Sequence, residues 1–124
     1  MKISTNVALA LAFLTSSIST VASAETPSVR VQLANDQSGA NANVVVRADG
    51  VKHSVKSLWG NTAVARNGVV YASSTQLTAF QQDTVCRIFG SGVDVTLTAI
   101  HTWSWLEGGK VVNLNEAFLV CKDT

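Results

Sequence analysis

Between residues 29 and 33 the chain alternates apolar and polar side chains, Val29-Arg30-Val31-Gln32-Leu33, a period of two that predicts a half-buried strand. Turn formers then crowd Asn35-Asp36-Gln37-Ser38-Gly39. A second β-branched run begins at Val44-Val45-Val46, and Asp49-Gly50 closes it, so the first two strands are expected as a hairpin. There the pattern changes. Val51, Val55, Leu58 and Trp59 fall at i, i+4, i+7 and i+8, the stripe of a short amphipathic helix stopped by Gly60-Asn61. Lys52 and Lys56 would lie side by side on its wet face. Two helical turns hold only if the stripe docks on a sheet, with Trp59 as a plug beneath it.

Asn67-Gly68 leads into Val69-Val70-Tyr71, a further strand start. Residues 75–80 suit a helical turn through Leu77 and Phe80 and suit a strand through Thr and Gln, and both readings stay open. Residues 84–89 are β-like, Gly90-Ser91-Gly92 turns the chain, and Val93, Val95, Leu97 and Ala99 then alternate against Asp94, Thr96 and Thr98. Gly108-Gly109 makes another turn before the last β-rich segment, residues 111–121. Short β segments with a turn every 8–12 residues or so predict an all-β-dominated domain. The expected architecture is a small sandwich or barrel with one short helix, an α+β sandwich being the alternative.

The N-terminal residues follow another logic. Lys2, the unbroken apolar run from Val7 to Leu14, and Ala22-Ser23-Ala24 have the order of an export signal over residues 1–24, leaving residues 25–124 as a single secreted domain. That apolar run is too short to cross a hydrocarbon core of roughly 30 Å. In an oxidising compartment Cys86 and Cys121, the only two cysteines, are expected to form one intrachain disulfide. On strands, Thr84, Cys86 and Ile88 share one face, as do Ala117, Leu119 and Cys121, so the bond would staple the last strand if the two are neighbours.

Charge narrows the partners. Of nine Lys+Arg, Lys2 belongs to the signal, and the remaining eight balance eight Asp+Glu. No cationic excess remains for nucleic acid or for a membrane surface. Two cysteines without a histidine at ligand spacing cannot hold zinc, and Asp36, Asn41, Asn43 and Asp49 lack the spacing of a calcium loop. No cofactor or metal is expected. His53 and His101 are the only histidines, the residue type most often used as a general acid or base, but no HExxH, no GxSxG and no paired-histidine spacing accompanies them, so no catalytic residue is assigned. Trp103 and Trp105 sit two apart, on one face of a strand. Counted back through His101, Ala99, Leu97 and Val95, that face is the core, and the indoles read as packing. If exposed instead, they would form a sugar platform.

Three segments carry a resemblance: VRVQLANDQSGANANVVVRADG (residues 29–50), SSTQLTAFQQDTVCRI (73–88) and LNEAFLVC (114–121). Together they resemble small secreted proteins of filamentous ascomycete fungi. The resemblance implies a fungal source and a non-enzymatic role. Some such proteins are candidate effectors released to act on host proteins, occasionally with a second secreted protein. The expected function is therefore protein recognition, the partner being a host or co-secreted protein, with Lys52, His53 and Lys56 and the loop 35–41 as contact candidates. A carbohydrate-binding module using Trp103 and Trp105 is the alternative, and a small secreted hydrolase the third.

Overall fold

The protein's structure, a computed structural model, describes residues 26–124. The export signal read over residues 1–24 and the new N-terminus at Glu25 lie outside the described residues. In chain order the strands are β1 Ser28–Asn35, β2 Ala40–Arg47, β3 His53–Ser54, β4 Ala65–Arg66, β5 Val69–Ala72, β6 Ser74–Ala79, β7 Thr84–Gly90, β8 Val93–Thr98, β9 Trp103–Trp105, β10 Val112–Asn113 and β11 Phe118–Asp123. The helix α1, Val55–Trp59, lies between β3 and β4.

These strands form three antiparallel sheets. Sheet A has the order β9-β6-β1-β2, sheet B the order β3-β11-β7-β8, and a small sheet the order β10-β5-β4. None closes into a barrel, so the fold is a small all-β sandwich. The alternations that predicted β1 and β8 explain its core. Val29, Val31 and Leu33 point inward from sheet A, Val93 and Leu97 from sheet B, and all are buried in one apolar cluster with Leu77, Ile88 and Leu119. The ambiguous segment 75–80 became β6 because it pairs on both sides, with β1 and with β9.

The disulfide joins Cys86 of β7 to Cys121 of β11, directly opposite each other with Cα atoms 4.1 Å apart. That is the close spacing of a pair that exchanges no main-chain hydrogen bonds. Consistently, the Cys121 carbonyl turns the other way and accepts from the Gly50 N–H at 2.8 Å. Two further contacts fasten the same corner. The Thr84 hydroxyl donates to Asp123 Oδ1 at 2.8 Å, and the Thr124 N–H donates to the Asp83 carbonyl.

The helix is shorter than the stripe of apolar positions predicts. It begins at Val55, capped by Ser54, whose side chain accepts from the Ser57 N–H. His53 and Ser54 pair instead with Leu119 and Phe118 of β11, extending sheet B. Val51 is exposed, Lys52 precedes β3, and only Lys56 stands on the helix, so the two lysines are not side by side on it. Val55 and Trp59 are buried, and the Trp59 indole N–H donates to the Ala42 carbonyl at 3.0 Å, placing the expected plug against β2. The last β-rich segment also splits: β10 joins the small sheet and β11 joins sheet B.

Candidate functional site

The face continued from β8 to the tryptophans is broken by a two-residue turn. Thr98 and His101 exchange main-chain hydrogen bonds at 3.0 and 3.1 Å around Ala99-Ile100. In such a turn the residue before the closing pair faces the residue after it, so the inward side shifts from odd to even numbers. Leu97 points inward on β8, and Leu106 is buried just beyond β9, with Thr102 and Ser104 partly covered between them. Trp103 and Trp105 therefore point outward and are each 42% exposed. His101 is exposed as well. Reading the indoles and this imidazole as core is thus corrected: the turn contains no glycine, proline, Asn or Asp to mark the change of phase.

The indoles lie at one border of the outer face of sheet A. Register places two rows across its four strands. One row is Trp103, Gln76, Gln32 and Asn43, and the next is Trp105, Ser74, Ala34 and Asn41. Neither row contains a charged residue. Beyond them the Thr78 hydroxyl lies 2.9 Å from Asn43 Oδ1. The two ring centroids are 5.0 Å apart with the planes at 70°, an edge-to-face pair. Gly109, held at φ 97°, brings its backbone beside the Trp105 ring, where a β-carbon would stand 3.8 Å from the indole. Three residues before Trp103, in the two-residue turn, Ile100 is 96% exposed. Sequence reasoning did not single it out, since an isoleucine next to an alternating run gives no sign of a turn.

The outer face of sheet B is organised differently. Lys52 Nζ lies 4.4 Å from the centroid of the Phe118 ring, Phe118 lies 5.8 Å from Phe89, and the Arg87 guanidinium sits 4.6 Å over Phe89. Arg87 also holds Asp94 through two hydrogen bonds of 2.9 Å. That bidentate pair keeps the Asp94 carboxyl below, and the Arg87 guanidinium above, their ordinary pKa values, chiefly through the hydrogen bonding. The contact residues suggested by the sequence are thus dispersed. Lys52 is engaged with Phe118, His53 is a half-buried member of β3, and Lys56 is exposed on α1.

A cleft of about 460 Å³ opens between the β1–β2 turn and the β4–β5 hairpin, bordered by Asn35, Gln37, Val64, Arg66, Tyr71 and Val111. It brings together no imidazole and no carboxylate. Nor does either histidine side chain hydrogen-bond a described carboxylate, a pairing that would orient an imidazole as a general base. Among the described residues no group of three His, Cys, Asp or Glu is placed to hold a metal ion, and no helix is long and apolar enough to cross a membrane.

No known family model matches the chain, and it matches no curated protein and no solved structure. What it does must be argued from its own surface.

Proposed function

We propose that this chain is a secreted, non-enzymatic recognition module that binds a protein partner through Ile100, Trp103 and Trp105. The observation that carries the reading is the grouping of these three large exposed apolar side chains within six residues, on a turn and the edge strand that follows it. Tryptophan is among the side chains that dominate binding energy when a partner covers them. Export rests on the signal-like residues 1–24 and on a disulfide that an oxidising compartment would preserve. The resemblance to small secreted ascomycete proteins extends the proposal to a fungal source and to a host or co-secreted partner, as for an effector.

Affinity capture tests the reading when the disulfide-bonded chain is run beside a folded Trp103→Ala, Trp105→Ala double variant on host and fungal extracts. A protein retained by the parent and lost from the variant supports it. Equal retention by both, or none by either, overturns it.

A second reading, carbohydrate binding, is favoured by the uncharged row in which Gln76, Gln32 and Asn43 continue from Trp103. Amide groups in line with an indole can hydrogen-bond vicinal hydroxyls while the ring stacks on a sugar face. The 70° angle between the indoles ranks it second, because at most one ring can lie flat beneath a pyranose. A shift of tryptophan fluorescence on adding neutral oligosaccharides, absent from Trp103→Ala, would reverse the order.

A further inference from the structure

The cleft between the β1–β2 turn and the β4–β5 hairpin has one wall fixed by strand pairing. Asn67 and Gly68 both hold positive φ, 55° and 78°, the two-residue turn that ties β4 to β5 and sets Arg66 opposite Val69. Val70 and Ala72 are fully buried, so the alternate positions of β5, Val69 and Tyr71, face away from the core. Arg66 shares that outward face with Val69, and Tyr71 is its diagonal neighbour across the pair. The Tyr71 N–H donates to the Val64 carbonyl at 3.0 Å, continuing the pairing one step beyond β4. Diagonal neighbours of this kind lie about 7–8 Å apart, within reach of one small ligand for two long side chains. Both Arg66 and Tyr71 line the cleft.

Their polar atoms are free. Among the described residues the Arg66 guanidinium makes no ion pair and no hydrogen bond, and the Tyr71 hydroxyl makes no hydrogen bond. Asp36, in the β1–β2 turn, does not line the cleft and forms no ion pair with Arg66. A free arginine at a surface is ordinary, and Arg66 differs in its surroundings. Ala40, Val64 and Val111 give the cleft apolar walls, Val64 being buried. Its volume of about 460 Å³ falls within the range of small-molecule sites, roughly 300–1,000 Å³. Such sites combine apolar walls with a few polar groups that fix a ligand's orientation.

From this arrangement we infer that the cleft binds a small organic carboxylate with an apolar body. Charge selects a monoanion, since the lining holds one cation and no carboxylate. The planar guanidinium fork matches the two oxygens of a carboxylate, and the Tyr71 hydroxyl is a further donor on the same face. The walls select the rest of the ligand. An apolar body withdraws them from water, a contribution that an inorganic anion cannot make. The lining includes none of Ile100, Trp103 and Trp105, so the inference goes beyond the recognition reading and stands or falls apart from it.

Titration of the disulfide-bonded chain with 3-phenylpropionate, followed by amide chemical shifts in NMR, tests the site. The expected result is a saturable shift of the Val64, Arg66 and Tyr71 amides, with the Trp103 and Trp105 amides unmoved. The neutral 3-phenylpropionamide keeps the apolar body without the charge and should bind about tenfold or more weakly. Inorganic phosphate keeps charge without the body and should move none of these amides at the same concentration. Arg66→Gln, at an exposed position, should weaken carboxylate binding by about tenfold while leaving the rest of the spectrum intact. No saturation by about 10 mM carboxylate overturns the inference. So does equal binding of the amide or of phosphate, or a folded Arg66→Gln that binds as the parent does. Should Arg66→Gln not fold, the comparison of carboxylate with amide on the parent chain decides alone.

Discussion

The two outer faces of the sandwich each carry a pair of aromatic rings, and the pairs have different surroundings. On sheet B, Phe89 and Phe118 are roofed by Arg87 and Lys52, and Arg87 is in turn fixed by Asp94. Every large side chain in that stack already has an intramolecular partner. On sheet A, Trp103 and Trp105 meet edge to face, Gly109 lies beside the Trp105 ring, and beyond them lie uncharged amides. The difference teaches how to read exposed aromatics. A ring capped by the protein's own cations contributes to the fold, whereas a half-exposed ring left uncapped is available to something else.

The strongest way to break the comparison is to unfasten sheet B alone. Replacing both Cys86 and Cys121 by Ala should lower stability by about 3–4 kcal/mol in urea unfolding, from the loop-closure entropy returned to the unfolded chain. If sheet B is the fastened half, hydrogen exchange in that variant should accelerate first in β7 and β11, with β1 and β2 following only on global unfolding. A smaller effect separates the aromatic pairs directly. Phe118→Ala should cost about 1–2 kcal/mol and leave partner binding intact. Trp103→Ala should cost about 1 kcal/mol or less while abolishing binding, and the reverse pattern would invert the roles of the two faces.

The smallest effect comes from the Arg87–Asp94 pair. Its hydrogen bonds lower the carboxyl pKa in the folded state, so its contribution is present above the unfolded carboxylate value of about 4 and is lost as pH falls through the lowered folded value. Both side chains are well exposed, so the contribution is small and screened by salt. Thermal melts of the parent and Asp94→Asn should differ slightly at neutral pH and low salt, the parent melting higher, and converge as pH falls through the lowered carboxyl value.

Much of this was legible in the sequence, and the failures have identifiable causes. Strict alternation announced β1 and β8, and the period of two set Cys86 on one face with Thr84 and Ile88 and Cys121 on one face with Ala117 and Leu119, as the disulfide between neighbouring strands requires. Those features depend on spacing along one strand. The start of α1 does not. Val51 continues the helical spacing, yet His53 and Ser54 are drawn into sheet B by β11, more than sixty residues later. Ser54 with its bond from the Ser57 N–H was the available signal of a helix start, and the apolar stripe outweighed it. The exposure of the tryptophans turned on a single count, the two residues between Thr98 and His101, with no turn-forming side chain to reveal it. The uncharged rows of sheet A were invisible for a related reason, since Gln76, Gln32 and Asn43 become neighbours only through strand register.

Strand order also governs when the domain can be completed. Every strand of sheet A has emerged by Trp105, and that sheet could assemble while synthesis continues. Sheet B cannot, because β11 lies between β3 and β7 and is made after both. Until it arrives, His53 and Ser54 have no neighbour to pair with and the Cys86 thiol has no mate. A nascent chain would thus remain half-built until the strand that ends at Asp123 has been made, with the sheet A half able to form before the sheet B half.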